Sequence, residues 1–220
     1  MAAVLFDIDG TLVDSNYLHA HAWYRAFLQA GVKVDAWRIH RSIGMDGASL
    51  VASLTGHSDD AAAKTAKSLH ADYYKECGDM LLPFPGARDI LEKIERRGLS
   101  VVLATSAPED ELALLRRTLK RDDVVSAITS GEDVETAKPE PHIINIALER
   151  AGVRPNEAIF VGDTVWDIEA CRRANVDCIA VLTGGISRAE LEAAGAVAVY
   201  ESVGELSADL ENSPIAALMR

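Results

Sequence analysis

The 220-residue sequence lacks features that mark several large classes of protein. It has three cysteines, Cys77, Cys171 and Cys178, an odd set without close spacing, which predicts neither a disulfide framework nor a zinc ribbon. Basic residues are also few, since 22 Lys and Arg against 34 Asp and Glu give a net charge of −12. This balance argues against binding to nucleic acid or to an anionic membrane, because both partners attract a basic surface.

Long hydrophobic runs are missing as well. No stretch approaches the roughly 20 apolar residues of a membrane span. The apolar run over residues 1–6 is too short for the core of a signal peptide and has no basic flank. We therefore expect residence in the cytoplasm. Hydrophobic residues make up 49% of the chain, as a well-packed globular domain of this length needs.

Short runs of β-type residues alternate with helical patterns along most of the chain. These runs cover residues 4–6, 101–104, 159–161, 178–182 and 197–199. Between them, apolar residues recur at helical spacing, with Pro108 before one pattern and Gly98 and Gly152 after two others. This alternation predicts an α/β fold with a doubly wound, Rossmann-like and mostly parallel sheet.

Residues 15–83 interrupt the alternation. Apolar side chains repeat there at helical spacing, and no buried strand is predicted. Two prolines and a glycine, Pro83, Pro85 and Gly86, predict a stiff hinge where this segment ends. We therefore predict a core domain made of residues 1–14 and 84–220, with an all-helical domain, residues 15–83, inserted into it.

The clearest chemical signal follows the first predicted strand. Asp7 and Asp9 are separated by one residue, and Gly10 then permits the chain to turn. In an open α/β sheet this edge faces the ligand crevice. A carboxylate attacks phosphorus when a metal neutralises the approaching anion and the phosphoryl group is held in line, and a second carboxylate can then move protons. Capping of a turn is the alternative role for an isolated Asp-x-Asp pair.

A hydroxyl group follows the second long predicted strand. Thr105 lies at the end of the predicted strand over residues 101–104 and is followed by Ser106 and Ala107. A predicted helix begins at Pro108. A hydroxyl and backbone N–H groups at a helix start suit a phosphoryl oxygen. Capping of the helix is the alternative role for Ser106.

A lysine and two more acids complete the pattern. Lys138 begins a Lys-Pro-Glu-Pro segment, whose prolines stiffen the chain that carries the ammonium group. Asp163 and Asp167 follow another predicted strand and lie four residues apart at a helix start, so both can face one point. Magnesium prefers oxygen ligands that include one or two carboxylates, which Asp163 with Asp7 would supply. Helix capping is the alternative role for Asp167.

Together these motifs resemble the four motifs of the haloacid dehalogenase superfamily, in the right order and across most of the chain. They are Asp7-x-Asp9-Gly-Thr, Thr105, Lys138 and Gly162-Asp163-x-x-x-Asp167. The resemblance implies Asp7 as the nucleophile and Asp9 as general acid and base, with Thr105 and Lys138 contacting the phosphoryl group. It also implies substrate contacts at Gly10, Ser106 and Ala107. The implied cofactor is Mg²⁺. Its implied ligands are the side chains of Asp7 and Asp163 and the backbone carbonyl of Asp9, and Asp167 supports them.

The helical insert resembles the small helical cap of phosphoglycolate-phosphatase-like and β-phosphoglucomutase-like members. Such caps open for exchange and close to exclude water. His19 falls where several relatives place a histidine near the acid/base Asp, and a histidine without duty is the alternative. Residues 41–45 resemble the cap loop that recognises the leaving group, where Arg41 would offer a forked donor to a second anionic group. A surface arginine is the alternative for Arg41.

The implied function is a magnesium-dependent phosphatase for small phosphorylated metabolites, of the phosphoglycolate or sugar phosphate type, working through an aspartyl-phosphate. Asp9 argues against a dehalogenase, because those enzymes lack the second acid of this motif. A phosphosugar mutase of the β-phosphoglucomutase type stays open, as does a catalytically silent binding module, although no key acid is missing. We expect a small metabolite as partner, no nucleic acid or membrane, and a monomer or homodimer.

Overall fold

The computed structural model describes residues 2–57, 61–133 and 138–219. Its strands in this part of the chain are β1 (Ala3–Phe6), β2 (Val13–Asp14), β3 (Leu82–Pro83), β4 (Ser100–Ala104), β5 (Ala127–Thr129), β6 (Ala158–Gly162), β7 (Asp177–Val181) and β8 (Ala198–Tyr200). Its α-helices are α1 (Asn16–Gln29), α2 (Ala36–Ser42), α3 (Gly47–Thr55), α4 (Ala61–Glu76), α5 (Ala87–Arg96), α6 (Glu109–Leu119), α7 (His142–Ala151), α8 (Val165–Ala174), α9 (Arg188–Ala194) and α10 (Val203–Ala208). The predicted alternation of strands and helices is confirmed.

Six of the strands form one parallel sheet in the order β5-β4-β1-β6-β7-β8. β1 lies between β4 and β6, with Val4 opposite both Val101 and Ile159. The strand order reverses at β1, and in open α/β sheets ligands bind outside the carboxyl ends of the strands at such a point. The predicted Rossmann-like fold is therefore confirmed, and its crevice is expected at the ends of β1, β4 and β6.

Helices cover both faces of the sheet. Val4 and Phe6 of β1 belong to one hydrophobic cluster, which includes apolar residues of α5 and α6. Ala3 and Leu5 point the other way into a second cluster with residues of α7 and α8. Because successive strand residues face opposite sides, a strand that is covered twice must be apolar throughout, as β1 is. This fully buried strand gives the residues that follow it a rigid support.

The segment between β2 and β3 contains helices α1 to α4, and we call these helices the helical insert. The insert has its own hydrophobic cluster around Trp23, Phe27, Ile39 and Leu50. β2 and β3 pair antiparallel, with Val13 opposite Pro83, so the chain leaves and re-enters the core through a two-stranded ribbon. The boundaries predicted for the inserted domain fall at this ribbon, while its action as a cap stays a prediction.

Two features of the fold were not predicted. The edge strand β5 has three residues and the strands of the ribbon have two each. Such short pieces show no alternation of apolar and polar residues, so their pattern cannot be distinguished from that of a loop.

Among the described residues, no helix combines the length and apolar character needed to cross a membrane.

Candidate active site

The ends of three adjacent strands bring the predicted site residues together. Asp7, Thr105 and Asp163 directly follow the last residues of β1, β4 and β6. Lys138 reaches the same edge from the segment before α7, and its Nζ lies 2.9 Å from Asp7 Oδ1. The same Nζ lies 2.7 Å from Asp167 Oδ1. Parallel strands end at a common edge, which explains why residues so distant in sequence converge.

Lys138 is a buried cation held between two carboxylates. Its exposed fraction is 1%, so its charge is stable only because it is paired. Burial alone would lower the pKa of Lys138, but the charges of Asp167 and Asp7 raise it. Burial raises the pKa of Asp7 to about 7, although the charge of Lys138 opposes this shift. The site therefore holds more negative charge than its lysine neutralises.

Asp163 is fully buried, and a tight backbone surrounds it. Thr11 Oγ1 donates to Asp163 Oδ1 at 2.8 Å, and Asn16 Nδ2 donates to Asp163 Oδ2 at 2.8 Å. A Cβ atom added at Gly10 would lie 2.4 Å from Asp163 Oδ2, and one at Gly184 would lie 1.9 Å from it. Glycine is therefore required at both positions, because any side chain would displace this carboxylate.

The carboxylates of Asp7, Asp163 and Asp167 fit a divalent cation. Each offers an oxygen, and these oxygens lie within 4.8 Å of one another. Burial, followed by the charges of Asp167 and Asp7, raises the pKa of Asp163 well above its ordinary value, so a proton or a cation is needed there. All the donors are hard oxygen atoms, the chemistry that Mg²⁺ prefers. Asp167 is less available than the other two, because Lys138 occupies Oδ1 and Thr164 Oγ1 donates to Oδ2 at 2.6 Å.

Asp9 lies beside this cluster and receives side-chain donors on one oxygen. Ser15 Oγ lies 2.5 Å, His19 Nε2 3.2 Å and Tyr74 Oη 3.5 Å from Asp9 Oδ1. Burial would raise the pKa of Asp9, but the hydrogen bond and charge of His19 lower it. Because these donors all reach Oδ1, Oδ2 is the atom of Asp9 left, among the described contacts, to meet a substrate.

The loop after β4 supplies hydroxyl groups. Thr105 is buried, and its Oγ1 accepts from the backbone N–H of Ala107 at 3.0 Å. Ser106 Oγ is buried and has no hydrogen-bond partner within the described part of the chain. A buried hydroxyl without a partner is costly, and an anionic oxygen in the adjoining cavity would satisfy it.

A cavity of about 480 Å³ lies between these strand ends and the helical insert. Asp7, Asp9, His19, Thr105, Ser106, Ala107 and Lys138 line it. The structure does not bring Arg41 there. Arg41 lies in the last turn of α2, and its guanidinium pairs with Glu190 instead. Residues Ile43 to Met45, just after α2, line the cavity. Gly10 also lies outside the lining, and its carbonyl oxygen accepts from Thr183 Oγ1 at 2.6 Å.

A model of the family described as haloacid dehalogenase-like hydrolase matches residues 4–181. The chain belongs to this family. The predicted family, and a phosphatase as the predicted class of enzyme, are confirmed. Among curated relatives of the family, the phosphoglycolate phosphatase of Pseudomonas putida is 32% identical over 188 residues, which cover 82% of this chain and 69% of that protein. Validoxylamine A 7′-phosphate phosphatase from Streptomyces hygroscopicus is 30% identical and covers 86% of this chain and 89% of its own.

Several solved structures have the same fold as this chain. A hydrolase from Pseudomonas syringae superposes with a TM-score of 0.91 at 33% identity, covering 96% of this chain and 99% of its own. A protein from Bacteroides vulgatus proposed to be a β-phosphoglucomutase gives a TM-score of 0.89 at 26% identity and covers 100% of this chain and 90% of its own. The neighbours thus include both a hydrolase and a protein named for a mutase.

Several residues of the site were not predicted in these roles. Thr11 and Asn16 hold Asp163, and Thr11 was recognised only as part of the family's first motif. His70 and Glu111 line the cavity from α4 and α6. Glu111 stands in a run of acids at a helix start, where acidic residues are common, so its burial has no signal in the sequence.

In the presence of a chelator that removes divalent cations, the protein is expected to lose stability as the pH rises from about 5 to about 8. Burial raises the pKa of Asp7 to about 7, from an ordinary value of 3.8, and it also raises that of Asp163. The folded chain therefore keeps protons that the unfolded chain releases. The stability that the protonated carboxyl groups of Asp7 and Asp163 contribute is complete below about pH 4. It is lost as the pH rises through the pKa values that these groups have in the folded chain.

The measurement is the melting temperature in chelator across this pH range. The double variant Asp7→Asn with Asp163→Asn is the control and should have a flatter profile. The pKa values of His19 and His70 shift in opposite directions, and both histidines are present in the parent and in the control. Added magnesium should raise the melting temperature more at high pH than at low pH, because ligand carboxylates bind when deprotonated. The same slope in both proteins would contradict the assignment of these protons.

Proposed function

We propose that the protein is a magnesium-dependent phosphatase that hydrolyses small phosphorylated metabolites through an aspartyl-phosphate on Asp7. The observation that carries the proposal is the setting of Asp7. Lys138 donates to Oδ1 at 2.9 Å and fixes the carboxylate of Asp7, which lines the cavity. Among the described contacts no side chain donates to Asp7 Oδ2, so this oxygen is the one left to attack. A fixed carboxylate with one oxygen available has the geometry that attack on phosphorus needs.

The proposed ligands of Mg²⁺ are the carboxylates of Asp7 and Asp163 and the backbone carbonyl of Asp9. Asp167 supports these ligands. When bound, the ion neutralises the charge that repels a phosphate dianion from these carboxylates. Thr11 and Asn16 hold the Asp163 carboxylate in place. Asp167 holds Lys138, whose ammonium lies 2.7 Å from its Oδ1. Lys138 in turn orients Asp7, so that one hydrogen-bonded unit positions both nucleophile and cation site.

In the first step Asp7 Oδ2 forms a bond to phosphorus, and the bond from phosphorus to the ester oxygen breaks. Asp9 gives its proton to the departing alkoxide. In the second step a water attacks the phosphorus and its proton passes to Asp9, while the phosphorus–Asp7 bond breaks and inorganic phosphate leaves. The lowered pKa of Asp9 suits the second step, in which it acts as a base. A phosphate dianion nearby raises that pKa and suits the first step.

The phosphoryl oxygens find donors on the loop after β4 and on Lys138. Ser106 Oγ is buried and has no hydrogen-bond partner among the described residues, and the ammonium-bearing Lys138 lines the same cavity beside Asp7. Donors fixed before the reaction stabilise developing charge without reorganising. We assign Thr105 to this loop as the residue whose hydroxyl shapes it, through its bond to the N–H of Ala107.

The helical insert, predicted at residues 15–83, is the proposed cap. It covers the strand ends with Trp23, Lys67 and residues 43–48, which form the far wall of the cavity. A volume of about 480 Å³ is suited to a small metabolite. The relatives that are named for phosphoglycolate and for validoxylamine A 7′-phosphate support a small phosphorylated substrate, which we propose to be of the phosphoglycolate or sugar phosphate type.

The test is release of inorganic phosphate from a panel of metabolite monoesters by the purified chain. Turnover is expected with magnesium, should stop with chelator, and should return when magnesium is restored. Substrates are ranked by kcat/KM, because that ratio reports discrimination in the transition state. Interconversion of sugar phosphates that needs a bisphosphate activator, with little phosphate release, would instead identify a mutase. No turnover on any monoester would contradict the proposal.

A further inference from the structure

A line of four polar side chains runs from Asp9 away from the reacting atoms to helix α6. His19 Nε2 lies 3.2 Å from Asp9 Oδ1, and His19 Nδ1 lies 3.1 Å from His70 Nε2. His70 Nδ1 then faces Glu111 Oε1 at 3.7 Å. His19, His70 and Glu111 are 8%, 7% and 6% exposed, so water does not replace these contacts. In the proposed mechanism Asp9 transfers protons, whereas His70 and Glu111, at the other end of this line, have no role.

Aromatic rings fix both imidazoles of this line. Tyr74 stacks on His19 with ring centroids 3.8 Å apart, and Trp23 stacks on His70 at 4.1 Å. The interplanar angles are 11° and 14°, so the rings are nearly parallel and cannot turn freely. Stacking sets the plane of each ring, but it does not decide which nitrogen donates a hydrogen.

The polar groups next to each ring decide that direction. The carboxylate of Asp9 only accepts, so His19 Nε2 donates to it. Glu111 Oε1 lies 3.7 Å from His70 Nδ1, which is beyond hydrogen-bond distance, but an ionised carboxylate at this distance favours the hydrogen of His70 on Nδ1. His70 Nε2 then accepts from His19 Nδ1. Burial, together with the charge of His19, lowers the pKa of His70 well below its ordinary value, which is consistent with a neutral ring that has one donor and one acceptor.

We propose that His70 and Glu111 are positioning residues for proton transfer, which hold His19 in the orientation that donates to Asp9. The inference rests on the proposed phosphatase function, in which Asp9 moves both protons. Second-layer partners of this kind fix the tautomer and plane of a functional histidine. His19 and His70 belong to the helical insert and Glu111 to the core, so the line is complete only while the insert is seated on α6. The orientation of Asp9 is thereby linked to the position of the insert.

Two substitutions of His70 separate this role from simple packing. His70→Phe keeps a ring against Trp23 but removes both nitrogens, whereas His70→Gln loses the ring but can accept from His19 and donate to Glu111. We expect His70→Phe to lower kcat about tenfold with KM changed less than about threefold, and His70→Gln to stay within about threefold of the parent. A role in packing alone gives the reverse order. A change confined to KM would make His70 a substrate contact, and either result overturns the proposal.

A second measurement does not depend on turnover. In protein labelled with ¹⁵N-histidine, the ring N–H signal of His19 that arises from the bond to His70 should be present in the parent, kept in His70→Gln and lost in His70→Phe. The matched control is His21→Phe, because His21 is exposed and lies on α1, the helix that carries His19. This variant should change neither the His19 signal nor kcat. If the parent hydrolyses no monoester, the proposed function fails and the spectra alone judge this inference. If the parent turns over and the signal is unchanged in His70→Phe, the inference fails alone.

Discussion

Asp7→Asn is expected to lower kcat by about four orders of magnitude or more, because an amide keeps the shape of the nucleophile but cannot form the phosphoryl-enzyme bond. The fold should survive. The pKa of Asp7 is raised to about 7, which means that burying this charge already costs stability at neutral pH. Lys138 also keeps its contact of 2.7 Å with Asp167. The measurements are kcat on the best substrate of the panel and the melting temperature, which should not fall.

Asp9→Asn is the matched contrast for this experiment, because it retains the nucleophile and removes the group that moves protons. A phosphoenzyme should form slowly in this variant and decay slowly, whereas Asp7→Asn should form none. Rapid mixing followed by acid quench measures both species. Turnover by Asp7→Asn near the parental rate, in a preparation free of parent enzyme, would show that another residue attacks phosphorus.

The positions of the site residues were predictable to the extent that strand ends fix them. Asp7, Thr105 and Asp163 follow strands whose apolar runs are visible in the sequence, and parallel strands must end at a common edge. The family resemblance then added Lys138, which spacing alone does not place. Its contact with Asp7 joins residues 131 positions apart and depends on the path of the segment before α7.

Contacts between helices were not predictable in the same way. His19 meets His70 across 51 residues, and their rings face each other only because α1 and α4 pack side by side. A helical pattern in the sequence gives the buried face of each helix but not the rotation that pairs two polar groups. Arg41 illustrates the same limit. Residues 43–45 of its segment line the cavity, but the side chain of Arg41, in the last turn of α2, pairs with Glu190.

Lys138→Met tests whether the buried cation holds the site together, and we expect it to destabilise the protein by about 3–5 kcal/mol in chelator at neutral pH. Lys138 is 1% exposed and stands between Asp7 and Asp167, so its removal leaves two buried carboxylates facing each other. For a protein of this size the loss corresponds to a fall in melting temperature of roughly 10 °C. Activity should fall at least about a hundredfold, as for loss of a preorganised donor to the transferred group.

The double variant Lys138→Met with Asp167→Asn separates stability from catalysis. It removes one of the two facing charges, so most of the lost stability should return, while the activity should not, because no ammonium is left to orient Asp7 and meet the phosphoryl group. The loss of stability in Lys138→Met should also be smaller at low pH, because Asp7 then takes up a proton. The pKa of Asp7 is already about 7 with the lysine in place, and it rises further without the lysine. Melting temperatures at two pH values and kcat for both variants test this. Recovery of activity along with stability would mean that Lys138 serves the fold alone, and that the charge facing the phosphoryl group must come from elsewhere in the cavity.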